Sequence, residues 1–133
     1  MTSQDYEFAT QLIDKAGQLT PTWWEVHRIR AQLLEAQGKP IFEVEEAFEQ
    51  SIRCGDTGIN RYHYANYLIR NDEYERAITQ IEAALVHEEA LEITLRSVKG
   101  LALMRLSRLP EAIDLLDTVW KTESGDVPAQ TRR

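Results

Sequence analysis

The sequence predicts an all-α protein, a solenoid of about seven antiparallel helices arranged as successive hairpins. Three observations predict it. Apolar residues recur at helical spacing along most of the chain, the pattern repeats with a step near 34 residues, and small residues fall where two helix backbones would cross. The clearest stretch runs from Asn60 to Val86. Its first half places Arg61, Tyr64, Ala65 and Leu68 on one face, and its second half does the same with Tyr74, Ala77, Ile81, Ala84 and Leu85. Asn71-Asp72-Glu73 is the polar turn between them. Ala65 and Ala77 lack bulk at the crossing point, which lets the two backbones approach closely.

In chain order, residues 4–18 form an amphipathic helix carrying Tyr6, Ala9, Leu12, Ile13 and Ala16, the second half of a unit whose first helix is missing, and this helix caps the stack. Leu19-Thr20-Pro21 ends it. Thr22 and Glu25 have the spacing of a capping box that starts the next helix, which runs to about Gln37. Gly38-Lys39-Pro40 breaks that helix, and a glutamate-rich one follows to about Cys54. Gly55-Asp56-Thr57-Gly58 reads as the longest flexible joint. After the central hairpin, His87 to Ala90 links to a helix ending near Leu106, and Pro110 stands in the first turn of a last helix, Glu111 to about Lys121, where a missing N–H costs little. Residues 123–133 have too little apolar content to pack and are expected to be a flexible tail.

The repeat is visible residue by residue. Small residues in first helices recur at Ala31, Ala65 and Gly100, each followed seven positions later by a turn residue, Gly38, Asp72 and Ser107, at steps of 34 and 35. Second helices open at Ala9, Val44, Ala77 and Ala112. A large apolar residue comes four later, at Ile13, Phe48, Ile81 and Leu116, and a smaller one three after that, at Ala16, Ser51, Ala84 and Val119. A helix–turn–helix unit of this period resembles the tetratricopeptide repeat family over roughly residues 4–122. The resemblance implies a single domain over 1–122, with repeat units at about 24–57, 58–92 and 93–122. The match lies in pattern more than identity, since His27, Arg61 and Arg96 stand where the family places a large aromatic, and the proline expected after a second helix survives only at Pro21. In the third unit, Leu91, Leu95, Val98 and Ala102 form a competing apolar stripe out of phase with Gly100.

Composition excludes several function classes. The net charge is -7 with a pI near 5.0, and no clustered basic face is present to displace counterions from nucleic-acid phosphates. The lone Cys54 excludes an internal disulfide framework, and no apolar run approaches the roughly 20 residues that span a bilayer. MTSQDYEF lacks the basic and apolar regions of a signal peptide. The expectation is a soluble, cytoplasmic protein with no nucleic-acid or membrane partner. His27, His63 and His87 lie in different units without an i,i+4 ligand partner, Cys54 has no base beside it, and the glutamates at 43–49 and 88–92 read as solvated helix faces. No metal, cofactor or catalytic site is expected.

The resemblance implies that first helices line a concave face. Residues left over once the packing face is assigned are Glu25, Arg28, Ile29, Gln32 and Glu35, then Ile59, Tyr62, His63, Asn66, Ile69 and Arg70, then Thr94, Ser97, Val98, Leu101, Met104 and Arg105. Arg28, Gln32, Tyr62, His63, Asn66, Arg70, Leu101 and Arg105 are the candidate contacts to a protein or peptide partner. One subclass of the family clamps C-terminal carboxylates, and its positions map here to Arg28, Gln32, His63, Thr94 and Val98. The last two remove both positive charges, so clamp binding to chaperone tails is not expected. A competing expectation concerns the last helix, where Leu116, Val119 and Trp120 lack the polar-faced capping helix such stacks carry. Either the native chain continues or a second copy covers them in a homodimer. One of Trp23 and Trp24, which cannot share a helix face, is expected to be exposed.

Overall fold

The computed structural model describes residues 3–87 and 92–124, and among them the chain is all helical. The helices are α1 (Ser3–Leu19), α2 (Trp24–Ala36), α3 (Ile41–Cys54), α4 (Gly58–Arg70), α5 (Tyr74–His87), α6 (Glu92–Arg105) and α7 (Leu109–Ser124). None of them is long and apolar enough to cross a membrane. The α5–α6 link and the tail from 125 onward lie outside the described residues, while α7 extends two residues into the stretch read as tail. The chain divides into two compact units, Met1–Asn60 and Arg61–Arg133, with the division inside α4.

Three helix ends share one geometry. Gly38, Asp72 and Ser107, each seven residues after a buried small residue, all have left-handed backbone, with φ of 72°, 60° and 62°. In each case two hydrogen bonds close the last turn: Gly38 N–H to the Glu35 carbonyl and Lys39 N–H to that of Leu34, Asp72 to Ile69 and Glu73 to Leu68, Ser107 to Met104 and Arg108 to Leu103. This paired closure satisfies carbonyls that a helix end otherwise leaves open. A side chain in the left-handed region costs about 1 kcal/mol, which Asp72 offsets in part by accepting a 2.7 Å hydrogen bond from the Tyr74 hydroxyl. Ser107 carries the same left-handed backbone on a short hydroxyl side chain. Ser107→Gly is therefore expected to stabilise the protein by about 0.5–1 kcal/mol, read as a higher urea midpoint at unchanged slope.

In the first unit, Val26 and Ala31 of α2 are buried with Val44, Ala47 and Phe48 of α3. The buried Ser51 hydroxyl donates to the Trp24 carbonyl at 2.7 Å, so the polar group inside this hairpin is satisfied. Gly55 lies against the Trp24 indole, where a Cβ would come within 2.4 Å of Cδ1. That contact decides between the tandem tryptophans: Trp24 is half-buried and Trp23 is 51% exposed. Helix α1 is tied to α2 by the Asp14–Arg30 ion pair at 3.2 Å and by Gln37 Nε2 donating to Thr10 Oγ1 at 2.9 Å.

Two local expectations are corrected here. The residue capping α2 is Trp23, with no side-chain cap, because a turn from Thr20 to Trp23 with Pro21 at its second position takes Thr22 out of the capping position. The α3–α4 joint is also shorter than the sequence suggests. Thr57 Oγ1 accepts the Asn60 N–H at 3.2 Å, which starts α4 at Gly58, and Asn60 Nδ2 donates back to the Gly55 and Ser51 carbonyls at 2.7 and 3.3 Å. The supposed long joint is three residues pinned from both sides.

In the second unit, Tyr64, Ala65 and Leu68 of α4 are buried together with Ala77, Ile81 and Ala84 of α5. Arg61 Nη1 donates to Gln80 Oε1 at 2.8 Å, and Arg76 Nη2 to the Tyr64 hydroxyl at 3.2 Å, so polar groups also bridge this hairpin. Helix α6 packs on both α5 and α7. Both apolar stripes read in α6 are therefore used: Leu95 and Ala102 are buried, and so is Gly100. Gly100 allows the close approach of α7, since a Cβ there would sit 2.5 Å from Leu116 Cδ2. Ile78, Ala102, Leu103 and Ala112 form a cluster on which Ile69, Tyr74, Leu106 and Leu115 also pack.

Candidate partner-binding surface

In the first unit, Arg28 and Gln32 stand four apart on α2, on one helix face. Arg28 Nη1 donates to Gln32 Oε1 at 3.2 Å, Nη2 approaches Glu25 Oε2 at 3.4 Å, and the guanidinium lies 5.9 Å from the Trp24 ring centre. These contacts, all within α2, hold a largely covered arginine in one orientation, with Ile29 exposed beside it. His27 belongs to a different structure. Its Nε2 is 2.8 Å from the Pro21 carbonyl, which the Cys54 thiol also approaches at 3.7 Å, so both side chains fasten the entry to α2. A cleft of about 480 Å³ opens between α1 and the end of α2, lined by Tyr6, Thr10, Gln37 and Lys39, none of them a predicted contact.

In the second unit, α4 carries Tyr62 and His63 half-buried with ring centres 5.4 Å apart, then Asn66 half-buried and Arg70 exposed at its last turn. On α6, Leu101 and Met104 are 41% and 48% exposed and Arg105 is exposed beside them. Other residues assigned to this face point elsewhere. Ile69 packs on the core cluster, and the Ser97 hydroxyl donates to the Ile93 carbonyl of its own helix at 2.9 Å. Lys99 and Arg96 are taken up by Glu82 at 3.1 Å and Glu92 at 2.9 Å. The Tyr74 hydroxyl is pushed above the ordinary phenol value because it donates to Asp72, an effect the nearby positive charge of Arg105 opposes.

On α7, the three residues read as a dimer contact separate. Leu116 turns onto Gly100 inside the hairpin, Val119 is half-buried and Trp120 is 60% exposed. The exposed apolar set on α7 also includes Ile113 and Leu109, four residues apart on the helix and outside the dimer contact expected from the sequence. At the start of α7, Arg108 Nε and Nη2 both donate to Glu111 at 2.8 Å, which holds the Glu111 carboxyl below the usual range.

Among the described residues no three His, Cys, Asp or Glu side chains come together as a metal site would require. No protein-family profile and no curated protein matches the chain. The functional reading therefore rests on the residues themselves.

Proposed function

We propose that this chain is a tetratricopeptide-like superhelix acting as a non-catalytic scaffold that binds a protein or peptide segment on the face lined by its first helices. The observation that carries the reading is the triple recurrence, at a 34- to 35-residue step, of a buried small residue followed seven positions later by a left-handed helix end, at Gly38, Asp72 and Ser107. A second regularity supports it. At the two later second-helix positions, Phe48, Ile81, Ser51 and Ala84 are buried in the interior copies, while their counterparts Ile13, Ala16, Leu116 and Val119 in α1 and α7 are half-buried, as terminal copies of a repeat would be; the opening position stays buried in α7, at Ala112. Arg28, Gln32, Tyr62, His63, Asn66, Arg70, Leu101 and Arg105 are the proposed contacts, none of them in the fully buried core. Affinity capture from native extract is expected to retain a protein on the wild type that an Asn66→Ala/Arg70→Ala variant of equal melting temperature does not. Equal retention by both would remove the first helices as the binding face.

A second reading, self-association through α7, is favoured by one observation: Leu109, Ile113 and Trp120 are at least half exposed on a single helix. It predicts a wild-type dimer by light scattering that Trp120→Glu converts to monomer. A monomeric wild type would end that reading.

A further inference from the structure

We propose that the outer face of α1 docks an amphipathic helix of a partner protein, laid where each of the other second helices has a first helix of this chain. The sequence reads α1 as a cap, yet its outer face is not the polar one a cap needs. Phe8, Leu12 and Leu19 are 63%, 53% and 80% exposed in one helical row. What belongs on that row follows from its counterparts. Counted from the aligned residues Ala9, Val44, Ala77 and Ala112, positions 8, 11, 12 and 15 of α1 correspond to Glu43, Glu46, Ala47 and Gln50 of α3, and to Glu111, Asp114, Leu115 and Thr118 of α7. Each of those two sets lines a crevice against the preceding first helix, the former with Arg30 and Leu34 of α2, the latter with Lys99 and Leu103 of α6. In α5 the counterparts of Phe8 and Leu12 are Arg76 and Gln80, and both bond to α4, through Tyr64 and Arg61. The same inequality appears one position inward. Val44, Ala77 and Ala112, each on a second helix that follows a first helix, are buried, while Ala9, which follows no described helix, is half-buried.

The chain's own first helices specify the chemistry of the occupant. Relative to the small residues Ala31, Ala65 and Gly100, they meet this row with the residue four before, His27 or Arg61, the residue one before, Arg30, Tyr64 or Lys99, and the residue three after, Leu34 or Leu103. Their cations suit the acids of α3 and α7. On α1 the two positions that carry those acids hold Phe8 and Gln11, so the docked helix needs large apolar side chains at the first two of these places. It also needs a small residue at the crossing and an apolar one three later. Gly100 shows what the small residue faces: the Leu116 side chain, whose counterpart on α1 is the half-buried Ile13. Lys15 is exposed in the same row, and its alkyl stem lengthens the apolar strip. No first helix of this chain has the required combination, because His27, Arg61 and Arg96 occupy the first place. That favours a different protein over a second copy. The surface shares no residue with the first-helix contacts and stands independently of them.

The test is selection on wild-type protein from a display library of Ala-, Glu- and Lys-based helices of roughly 16 residues, randomised at four places spaced i, i+3, i+4 and i+7. The enriched pool is expected to carry large apolar residues at i, i+3 and i+7, and Ala or Gly at i+4. In fluorescence anisotropy, Phe8→Glu/Leu12→Glu is expected to weaken the most enriched helix at least about tenfold, with thermal melting unchanged because both side chains are more than half exposed. Phe8→Glu and Leu19→Glu, at the two most exposed sites, are measured singly as well, and each should weaken binding with the fold intact. No enrichment, a pool without the small residue at i+4, or equal affinity for wild type and variants would overturn the proposal. So would a wild-type dimer in light scattering that Phe8→Glu/Leu12→Glu abolishes, since a second copy would then be the occupant.

Discussion

Ala77→Glu is expected to unfold the second unit or come close to it. Ala77 is fully buried at the opening of α5, in a hairpin where Ala65 and Tyr64 are equally enclosed. A glutamate there must either drive α4 and α5 apart or place a carboxylate where it has no partner, and a buried unpaired charge costs several kcal/mol. That is comparable with the whole stability of a domain this size. Thr79→Glu, two residues along the same helix but exposed, is the matched control and should change stability by less than about 0.5 kcal/mol. Urea denaturation followed by circular dichroism separates them, and coincident curves would mean that α5 presents a different face to α4.

Gly100→Leu should come next in severity, at about 3 kcal/mol or more. The first atom beyond Cα would lie 2.5 Å from Leu116 Cδ2 and 2.7 Å from Cγ, so the whole side chain of Leu116 must leave its place or α7 must back away. Gly100→Ala has a smaller effect, since the gain in helix propensity, about 1 kcal/mol, offsets part of the clash. The diagnostic result is coupling. Leu116→Ala alone opens a cavity, but combined with Gly100→Ala the two changes should offset each other, giving an interaction energy of at least about 1 kcal/mol. Strict additivity would show that the two residues do not meet.

Much of this fold is written in the sequence because it depends on residues whose chemistry is narrow. A backbone crossing demands Ala or Gly, as at Ala31, Ala65 and Gly100, and a helix end that turns left-handed favours Gly or a short polar residue, as at Gly38, Asp72 and Ser107. Choices made by geometry between competing local signals were harder to read. Thr22 and Thr57 look alike in the sequence, yet only Thr57 caps a helix, because the turn through Pro21 uses Thr22 for something else. Helical spacing alone placed Ile69 on the solvent side, and the cluster formed by α5, α6 and α7 drew it inward. The proposed surface was legible only by elimination. Elimination cannot tell that Ser97 spends its hydroxyl on its own helix, or that Leu109 and Ile113 extend the apolar strip beside Trp120.

The recurring left-handed ends also bear on how the chain reaches this state. Each stops a helix at a fixed residue and turns the chain within about three positions, so the two helices of a hairpin are close neighbours in sequence. The bridging bonds then close short loops: Tyr64 to Arg76 spans 12 residues, Arg61 to Gln80 spans 19 and Trp24 to Ser51 spans 27. Loops of this length close at small entropic cost, and proteins built from such local contacts fold in microseconds to milliseconds. The α4–α5 hairpin, with Asp72 at its bend, has the shortest of these bridged loops.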